Sequence, residues 1–332
     1  MTLTVDGQLV AVPDDGASLL EVLRDRLGIR SVKDGCSPQG QCGCCTVLVD
    51  GFPRVSCVTP ARRVRGREVT TPDGLDATRA DRWAGAFCAT GASQCGFCTP
   101  GIMVRLDSLS QKVGADGAER TQLDRALAAH LCRCTGWHTI HEAWDRFHDG
   151  AEPESNRDLA AATERATVES GGPQVVSPDM ALGRGGFADD SAPPDALVAV
   201  LNPRGDWVVA DSLIEARRLS GKVQGRRTTD DPAPPLALPD GSWTVCLRTS
   251  WVEPAYLETD ASWCAPGGQP TTPLANGGAF GAKTVSEVEE VARRLADEHG
   301  RPVRVLLSRE DTVRRGAKRP PIAAGLHQDG SG

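Results

Sequence analysis

Twelve cysteines are the plainest chemistry in this 332-residue sequence, and ten of them fall within residues 1–150. Cys36, Cys42, Cys45 and Cys57 have the spacing C-x5-C-x2-C-x11-C. That is close to the plant-type loop C-x4-C-x2-C with a distant fourth cysteine, which holds a [2Fe-2S] cluster. Gly35, Gly40 and Gly43 let backbone pass close to inorganic sulfides, where N–H groups donate to sulfur and tune the potential. A second group pairs Cys95-Gly96-Phe97-Cys98 with Cys132-Arg133-Cys134. Here a C-x2-C precedes one expected helix and a C-x-C follows another, so two helix ends can pinch a second cluster. Structural zinc also takes four thiolates and is the alternative, although a zinc ribbon would use two C-x2-C knuckles. Cys44 can in principle replace a neighbour as ligand; for it and for Cys88 a small buried thiol is the plainer expectation.

Composition fits that chemistry. Apolar residues make up 39% and charged residues 24%, as in a soluble globular chain with room for two or three domains. A net charge of −7 argues against nucleic acid as a partner. No apolar run reaches the roughly 18 residues that a membrane span needs. The opening Met1-Thr2-Leu3-Thr4-Val5-Asp6 lacks a basic and an apolar leader region, so a cytoplasmic location is expected, where thiols stay reduced and a disulfide framework does not form. Arg62, Arg63, Arg65 and Arg67 form a basic run, expected as a solvated strand face, with a docking patch as the other option.

Three regions must position the thiols. Thr2–Val5 and Leu9–Val12 flank Asp6-Gly7, a hairpin turn, and Thr46–Val49 and Val55–Val58 flank Asp50-Gly51. Between them Ser18-Leu19-Leu20-Glu21 is a capping box opening a helix to about Leu27. A four-strand sheet crossed by one helix is expected. Helices follow: Thr99 as a cap with Pro100 at the first position, Thr121 capping a run with Leu123, Leu127 and Leu131, and a last one from about Thr139 to Phe147. Residues 151–170 read as a linker. Beyond it Trp207–Ala210, Val245–Arg248 and Val303–Leu307 are strand-like, Ser286-Glu287-Val288-Glu289 is a further capping box, and the tail after Pro320 is expected to fray.

On its cysteine motifs the chain resembles the iron–sulfur subunit of the xanthine dehydrogenase/aldehyde oxidase family of molybdenum hydroxylases. The motifs are Asp34-Gly35-Cys36, Gln41-Cys42-Gly43-Cys44-Cys45-Thr46-Val47, Gln94-Cys95-Gly96-Phe97-Cys98-Thr99-Pro100-Gly101 and Cys132-Arg133-Cys134-Thr135-Gly136. The first loop has one residue more than the family usually has, and Cys44 stands where Ala is common, which favours Cys45 as the ligand. The resemblance implies an α+β chain: a β-grasp ferredoxin-like domain over 1–75, a four-helix [2Fe-2S] domain over 76–150, the linker 151–170, and a partial α/β molybdopterin-binding domain over 171–325. It implies two [2Fe-2S] clusters. The helical-domain cluster lies nearer a molybdenum–pterin cofactor, the ferredoxin-like one faces a flavin, and Gln94 and Cys134 contact the pterin.

Gly277-Gly278-Ala279-Phe280-Gly281-Ala282-Lys283-Thr284 nearly matches the phosphate-loop pattern G-x4-G-K-[ST], but no strong strand precedes it. It resembles instead the GGFGGK-type loop of the family's molybdenum subunit, with Ala282 in place of a Gly, which implies cofactor contacts at Gly277, Gly278, Phe280 and Gly281. Glu253 to Thr259, Arg301 to Arg304 and Ser308 to Asp311 resemble the stretches around that loop, and Val252 stands where some relatives have a Gln reaching the metal. The family's catalytic carboxylate lies hundreds of residues further on, so Glu258 and Glu310 are not assigned to that role and no catalytic residue is named. His138 and His141 are expected to be ordinary histidines rather than a ligand pair. The expected function is electron transfer in a molybdenum hydroxylase complex with a molybdenum-binding catalytic subunit, a partner subunit carrying FAD, and an N-heterocycle, purine or aldehyde as substrate. The alternatives are a stand-alone electron carrier with a C-terminal docking region and a zinc-stabilised interaction module.

Overall fold

The computed structural model describes residues 1–114, 117–149, 157–170, 174–222, 233–252, 255–273 and 277–331. The first sheet holds five strands in the order β2-β1-β5-β3-β4: β1 (Thr2–Val5), β2 (Gln8–Ala11), β3 (Thr46–Val49), β4 (Phe52–Val55) and β5 (Glu68–Thr70). Both hairpins turn on Asp-Gly pairs with positive φ at each residue, Asp6-Gly7 and Asp50-Gly51, the geometry that matches strand twist. The fifth strand was not expected. With three residues it is too short for alternation to reveal, yet it runs parallel to β1 and antiparallel to β3 at the centre of the sheet. The Ser18 capping box forms as expected and opens α1 (Leu19–Glu21), which widens into a π-helical turn over Val22–Arg26. Leu19, Leu20, Val22 and Leu23 are buried in one core with Leu3, Val5 and Val47 of the sheet. The second hairpin is shorter than expected, because Ser56–Val58 leaves the strand as a 3-10 turn. The arginine run also departs from a strand: Ala61–Val64 is a 3-10 turn, and Arg65 and Arg67 pair with Asp14 and Asp50.

The helical region comprises α2 (Ala77–Thr90), α3 (Thr99–Val113), α4 (Arg120–Leu127) and α5 (His138–His148). Trp83 anchors it, stacked on Phe147 at 3.7 Å with its indole N–H donating to Asp107 at 3.0 Å. Two caps differ from expectation. Thr99 is the first helical residue, its hydroxyl donating to Ser93, and Cys98 takes the cap position. Glu119, with Gln122, caps α4, which ends before the exposed Leu131.

Of the expected linker, 151–156 lies outside the described residues and Leu159–Ser170 is helix α6. After α7 (Pro178–Ala181) a four-stranded sheet runs β7-β6-β10-β9, from β6 (Leu197–Leu201), β7 (Trp207–Ala210), β9 (Ala261–Cys264) and β10 (Val303–Leu306). α8 (Leu213–Ser220) covers one face and α9 (Val288–His299) the other, so this is a two-sided α/β layer with a core on each face. Ser286 does not cap α9; its hydroxyl donates to Asp260 at 2.5 Å. α10 (Arg309–Arg315) follows β10. The tail does not fray at Pro320: β11 (Ala323–Leu326) pairs antiparallel with β8 (Val245–Arg248).

Candidate metal centres

Local folding brings each predicted cysteine set together. Cys45 precedes β3 and Cys57 follows β4, so the hairpin register sets them side by side, and Cys57 N–H lies 3.5 Å from Cys45 Sγ. Cys36 and Cys42 come from the loop between α1 and β3. The sulfurs form a hydrogen-bonded chain, Cys42 to Cys36 to Cys57 to Cys45. Thiols of Cys42 and Cys57 hold the Cys36 thiol far below its ordinary range, while Cys42 is pushed far above it by Cys36, Cys44 and burial, and Cys57 by Cys36, Cys45 and burial. Gln39 N–H also donates to Cys36 Sγ at 3.1 Å, the backbone-to-sulfur contact expected of a cluster loop.

The second set forms a matching chain, Cys98 to Cys132 to Cys134 to Cys95, the last pair 3.4 Å apart. α2 stops at Gly91, whose φ of +78° closes the helix in the left-handed region, and the chain then runs through Gln94 to Cys95. Cys98 caps α3. Cys132 and Cys134 sit between α4 and Trp137, the residue with φ +73° that starts α5. Cys132 is lowered by its neighbours Cys134 and Cys98, and Cys98 and Cys134 are raised. Six of the eight thiols are buried; Cys132 and Cys134 are half-buried, which leaves the second set open on one flank.

Among the described residues no group of three or more His, Cys, Asp or Glu side chains is arranged to hold a metal ion. This does not conflict with the four-sulfur chains: in a [2Fe-2S] site with four cysteine ligands each iron takes only two protein sulfurs, so no three need converge on one centre. Four shielded thiols, sulfur-to-sulfur contact and a backbone N–H aimed at sulfur fit such a cluster at the first place, and four thiols in the same linked arrangement fit one at the second.

Cys44 is buried and its thiol hydrogen-bonds to Cys42, so it extends the first chain as a fifth sulfur beyond the four predicted ones. Cys88 lies on α2, its thiol pushed up to about 11 by burial. The two sets lie against each other. Leu131 N–H donates to Cys42 carbonyl at 2.9 Å, one residue before Cys132. A Cβ on Gly101 of α3 would fall 2.4 Å from Gly43 O, and one on Gly43, where φ is +72°, 2.5 Å from the His130 ring. His130, which sequence reasoning passed over, meets Thr46 Oγ1 at 3.1 Å, and burial lowers its pKa to about 4.

The Gly-rich loop arrives at the second set. A Cβ on Gly277 would sit 2.5 Å from Phe97 Cβ, Gly278 O accepts from Arg133 at 2.7 Å, and the Arg133 guanidinium lies 5.9 Å from the Phe280 ring centre. Phe97 and Arg133 stand inside the two cysteine motifs, and that place in the sequence was the available signal for them. Gly278, Phe280 and Gly281 all have positive φ. Buried Glu258 fixes the loop, accepting from Gly277 N–H at 2.6 Å, and burial pushes its pKa to about 8. Lys283 is not free for phosphate: it is buried, 2.7 Å from Asp260, and donates to Pro273 O. Gln94 is half-buried. Glu310 pairs with Arg314 within α10, Val252 is exposed and bridges to Arg319, and Glu253 lies outside the described residues. His141 meets Asp124 at 3.3 Å, and His138 is exposed.

The fold is a known one. Aldehyde oxidoreductases from Desulfovibrio gigas and Desulfovibrio desulfuricans superpose on 99% and 98% of this chain with TM-scores of 0.66 and 0.68, each at 20% identity, a likeness of fold. This chain spans about half of their length, 52% in each case. Residues 71–145 match the family model described as a [2Fe-2S] binding domain. Over 141 residues the chain is 41% identical to the xanthine dehydrogenase iron-sulfur-binding subunit of Escherichia coli O157:H7, covering 41% of this chain and 86% of that one. Over 133 residues it is 35% identical to the nicotinate dehydrogenase small FeS subunit of Eubacterium barkeri, covering 40% of this chain and 83% of that one. The chain belongs to the family of xanthine-dehydrogenase-type iron–sulfur subunits, and its N-terminal part is an iron–sulfur electron-transfer domain of that family.

Proposed function

We propose that this chain passes electrons, through two [2Fe-2S] clusters, from a molybdenum–pterin centre to a flavin or another acceptor in a molybdenum hydroxylase assembly. Cys95, Cys98, Cys132 and Cys134 hold the cluster nearer the pterin, and Cys36, Cys42, Cys45 and Cys57 the farther one. Gly277, Gly278, Phe280 and Gly281, with Gln94 and the half-buried Cys134, would hold the pterin. A molybdenum-binding catalytic subunit completes that site, FAD sits on another partner, and the substrate is an N-heterocycle, a purine or an aldehyde handled in the cytoplasm. When bound, [2Fe-2S] centres supply one-electron steps between a two-electron donor and a two-electron acceptor.

The observation that carries this reading is the hydrogen bond from Leu131 N–H to the Cys42 carbonyl. Cys42 belongs to one set and Leu131 is bonded to Cys132 of the other, so the two thiol groups share a short backbone connection. The chain's residues hold the irons, bury most of the sulfurs from water, and keep one flank of the second set open beside the Gly-rich loop.

Anaerobic purification with metal, sulfide and pterin analysis tests the proposal. About four irons and four labile sulfides per chain are expected, with two paramagnetic signals after dithionite reduction. Cys132→Ser removes one signal and Cys36→Ser the other. A colourless protein holding zinc and no sulfide would replace the clusters with a zinc module. Two signals without pterin, after co-expression with the partner subunits, would leave a stand-alone carrier.

A further inference from the structure

The three residues that lead into Cys36 are each met by a group from the C-terminal half. Lys33, wholly buried, donates from Nζ to Gly183 O at 2.8 Å and pairs with Asp190 at 2.5 Å. Asp34 Oδ2 lies 4.0 Å from Arg217 Nη2 on α8. Gly35 O accepts from Arg309 Nη2 on α10 at 2.8 Å. Gly35 itself is wedged among the thiols: a Cβ there would lie 3.1 Å from Cys42 Sγ, 3.2 Å from Cys44 Sγ and 3.2 Å from the Phe97 ring of the second set. The same Arg309 guanidinium donates to Tyr256 O at 2.9 Å and to Leu257 O. Leu257 N–H in turn donates to Gly277 O at 2.9 Å, at the start of the Gly-rich loop.

We propose that Arg309 is a positioning residue for the first cluster, fixing the turn into Cys36 and tying it to the segment that holds the Gly-rich loop. The C-terminal half is then part of the first set's construction rather than a passive neighbour. A planar fork of donors suits the task because it reaches three carbonyls at fixed angles, which a single ammonium does not. The inference rests on the reading that the first set holds a [2Fe-2S] centre.

The test compares the full chain, purified anaerobically, as wild type, Arg309→Ala and Arg309→Lys, with Arg301→Ala as control, since Arg301 pairs with Asp211 at the surface. Redox titration follows each paramagnetic signal, the one lost in Cys36→Ser marking the first set. Amide exchange is read over residues 33–45 on the same preparations. In Arg309→Ala the first signal's midpoint should move so that the electron's distribution between the centres changes about tenfold, 59 mV for one electron. The second signal stays in place and exchange over 33–45 quickens. Arg309→Lys should fall between, and Arg301→Ala should match wild type. Unchanged signals and exchange in Arg309→Ala, or equal shifts of both signals, overturn the proposal. If Arg309→Ala does not fold, Arg309→Lys decides, and a wild-type first signal there overturns it. A wild-type chain without any signal defeats the cluster reading instead; the exchange comparison then still shows whether Arg309 orders the turn.

Discussion

Gly101→Ala puts the contact between the two cysteine regions to a quantitative test. Gly101 is the third residue of α3, and by helix propensity alone its replacement by Ala stabilises a protein by about 0.5–1 kcal/mol. Here the added methyl would stand 2.4 Å from Gly43 O and 2.9 Å from Cys44 O. Both obstacles are backbone atoms of the first thiol loop, so no rotamer change relieves them, and α3 must back away from that loop. Overpacking of this kind costs about 1–3 kcal/mol. An approach of 2.4 Å to backbone puts the cost at the upper end, about 2–3 kcal/mol, leaving a net loss on the order of 1–2 kcal/mol. A kilocalorie lowers the melting temperature of a domain of 150–250 residues by about 2–4 °C, so a fall of about 2–8 °C is expected. Calorimetry on iron-loaded chain, with visible absorbance followed through the transition, reads the change. A melting temperature equal to or above that of wild type would refute the close approach of α3 to the first loop.

Further outcomes follow from caps and buried charges. Glu258 carries a folded pKa of about 8 against 4.5 when free, so the folded chain holds a proton that the unfolded chain releases first as pH rises. Stability from this residue is present below pH 4.5 and drains away towards pH 8; Glu258→Gln should match wild type in melts at pH 5 and exceed it at pH 9, and parallel curves would contradict the assignment. Asp189, flanked by Arg304 and Arg24, is held below the ordinary carboxylate value of 3.8, so its contribution persists above that pH and is lost as acid protonates it. Asp189→Asn leaves two buried guanidinium groups with one carboxylate fewer and should cost about 3–5 kcal/mol at pH 7 in denaturant unfolding, the gap from wild type narrowing below pH 3.8. Ser308→Ala removes the cap of α10, at a cost of about 1 kcal/mol, and should quicken amide exchange at the start of that helix, where Arg309 lies.

Features set by local rules are legible in the sequence. The Asp6-Gly7 and Asp50-Gly51 turns and the Ser18 capping box depend on neighbours within four residues, and each is present. Those that miscarried were settled by partners far off in sequence. β5 is a strand because β1 and β3 leave a gap of its width, which Glu68-Val69-Thr70 cannot announce by itself. Ser286 has the sequence of a cap, but Asp260 claims its hydroxyl. The tail pairs with a strand nearly eighty residues earlier, a partner no local pattern could name.

The same division runs through the site. Cysteine spacing restricts how the chain can wrap, so the gathering of each set of four could be anticipated, but not that Cys44 joins the first set through its hydrogen bond to Cys42. What surrounds the sulfurs comes from the other half of the chain and carries no spacing signature. Arg309 reaches Gly35 across 274 positions, Lys33 reaches Gly183 across 150, and Arg133 meets Gly278 across 145. Each contact joins a cysteine loop to the C-terminal half through a guanidinium or ammonium donating to a backbone carbonyl, a pairing that constrains one side chain and leaves the other residue's type free. The sequence therefore records half of every such contact, and a glycine at the receiving end, Gly35 or Gly278, is its faint trace. On the proposed reading those carbonyls lie beside the cluster loops, so the C-terminal half would be part of the electron-transfer unit, and changes at Arg309 or Arg133 should be felt at the irons before they are felt in the fold.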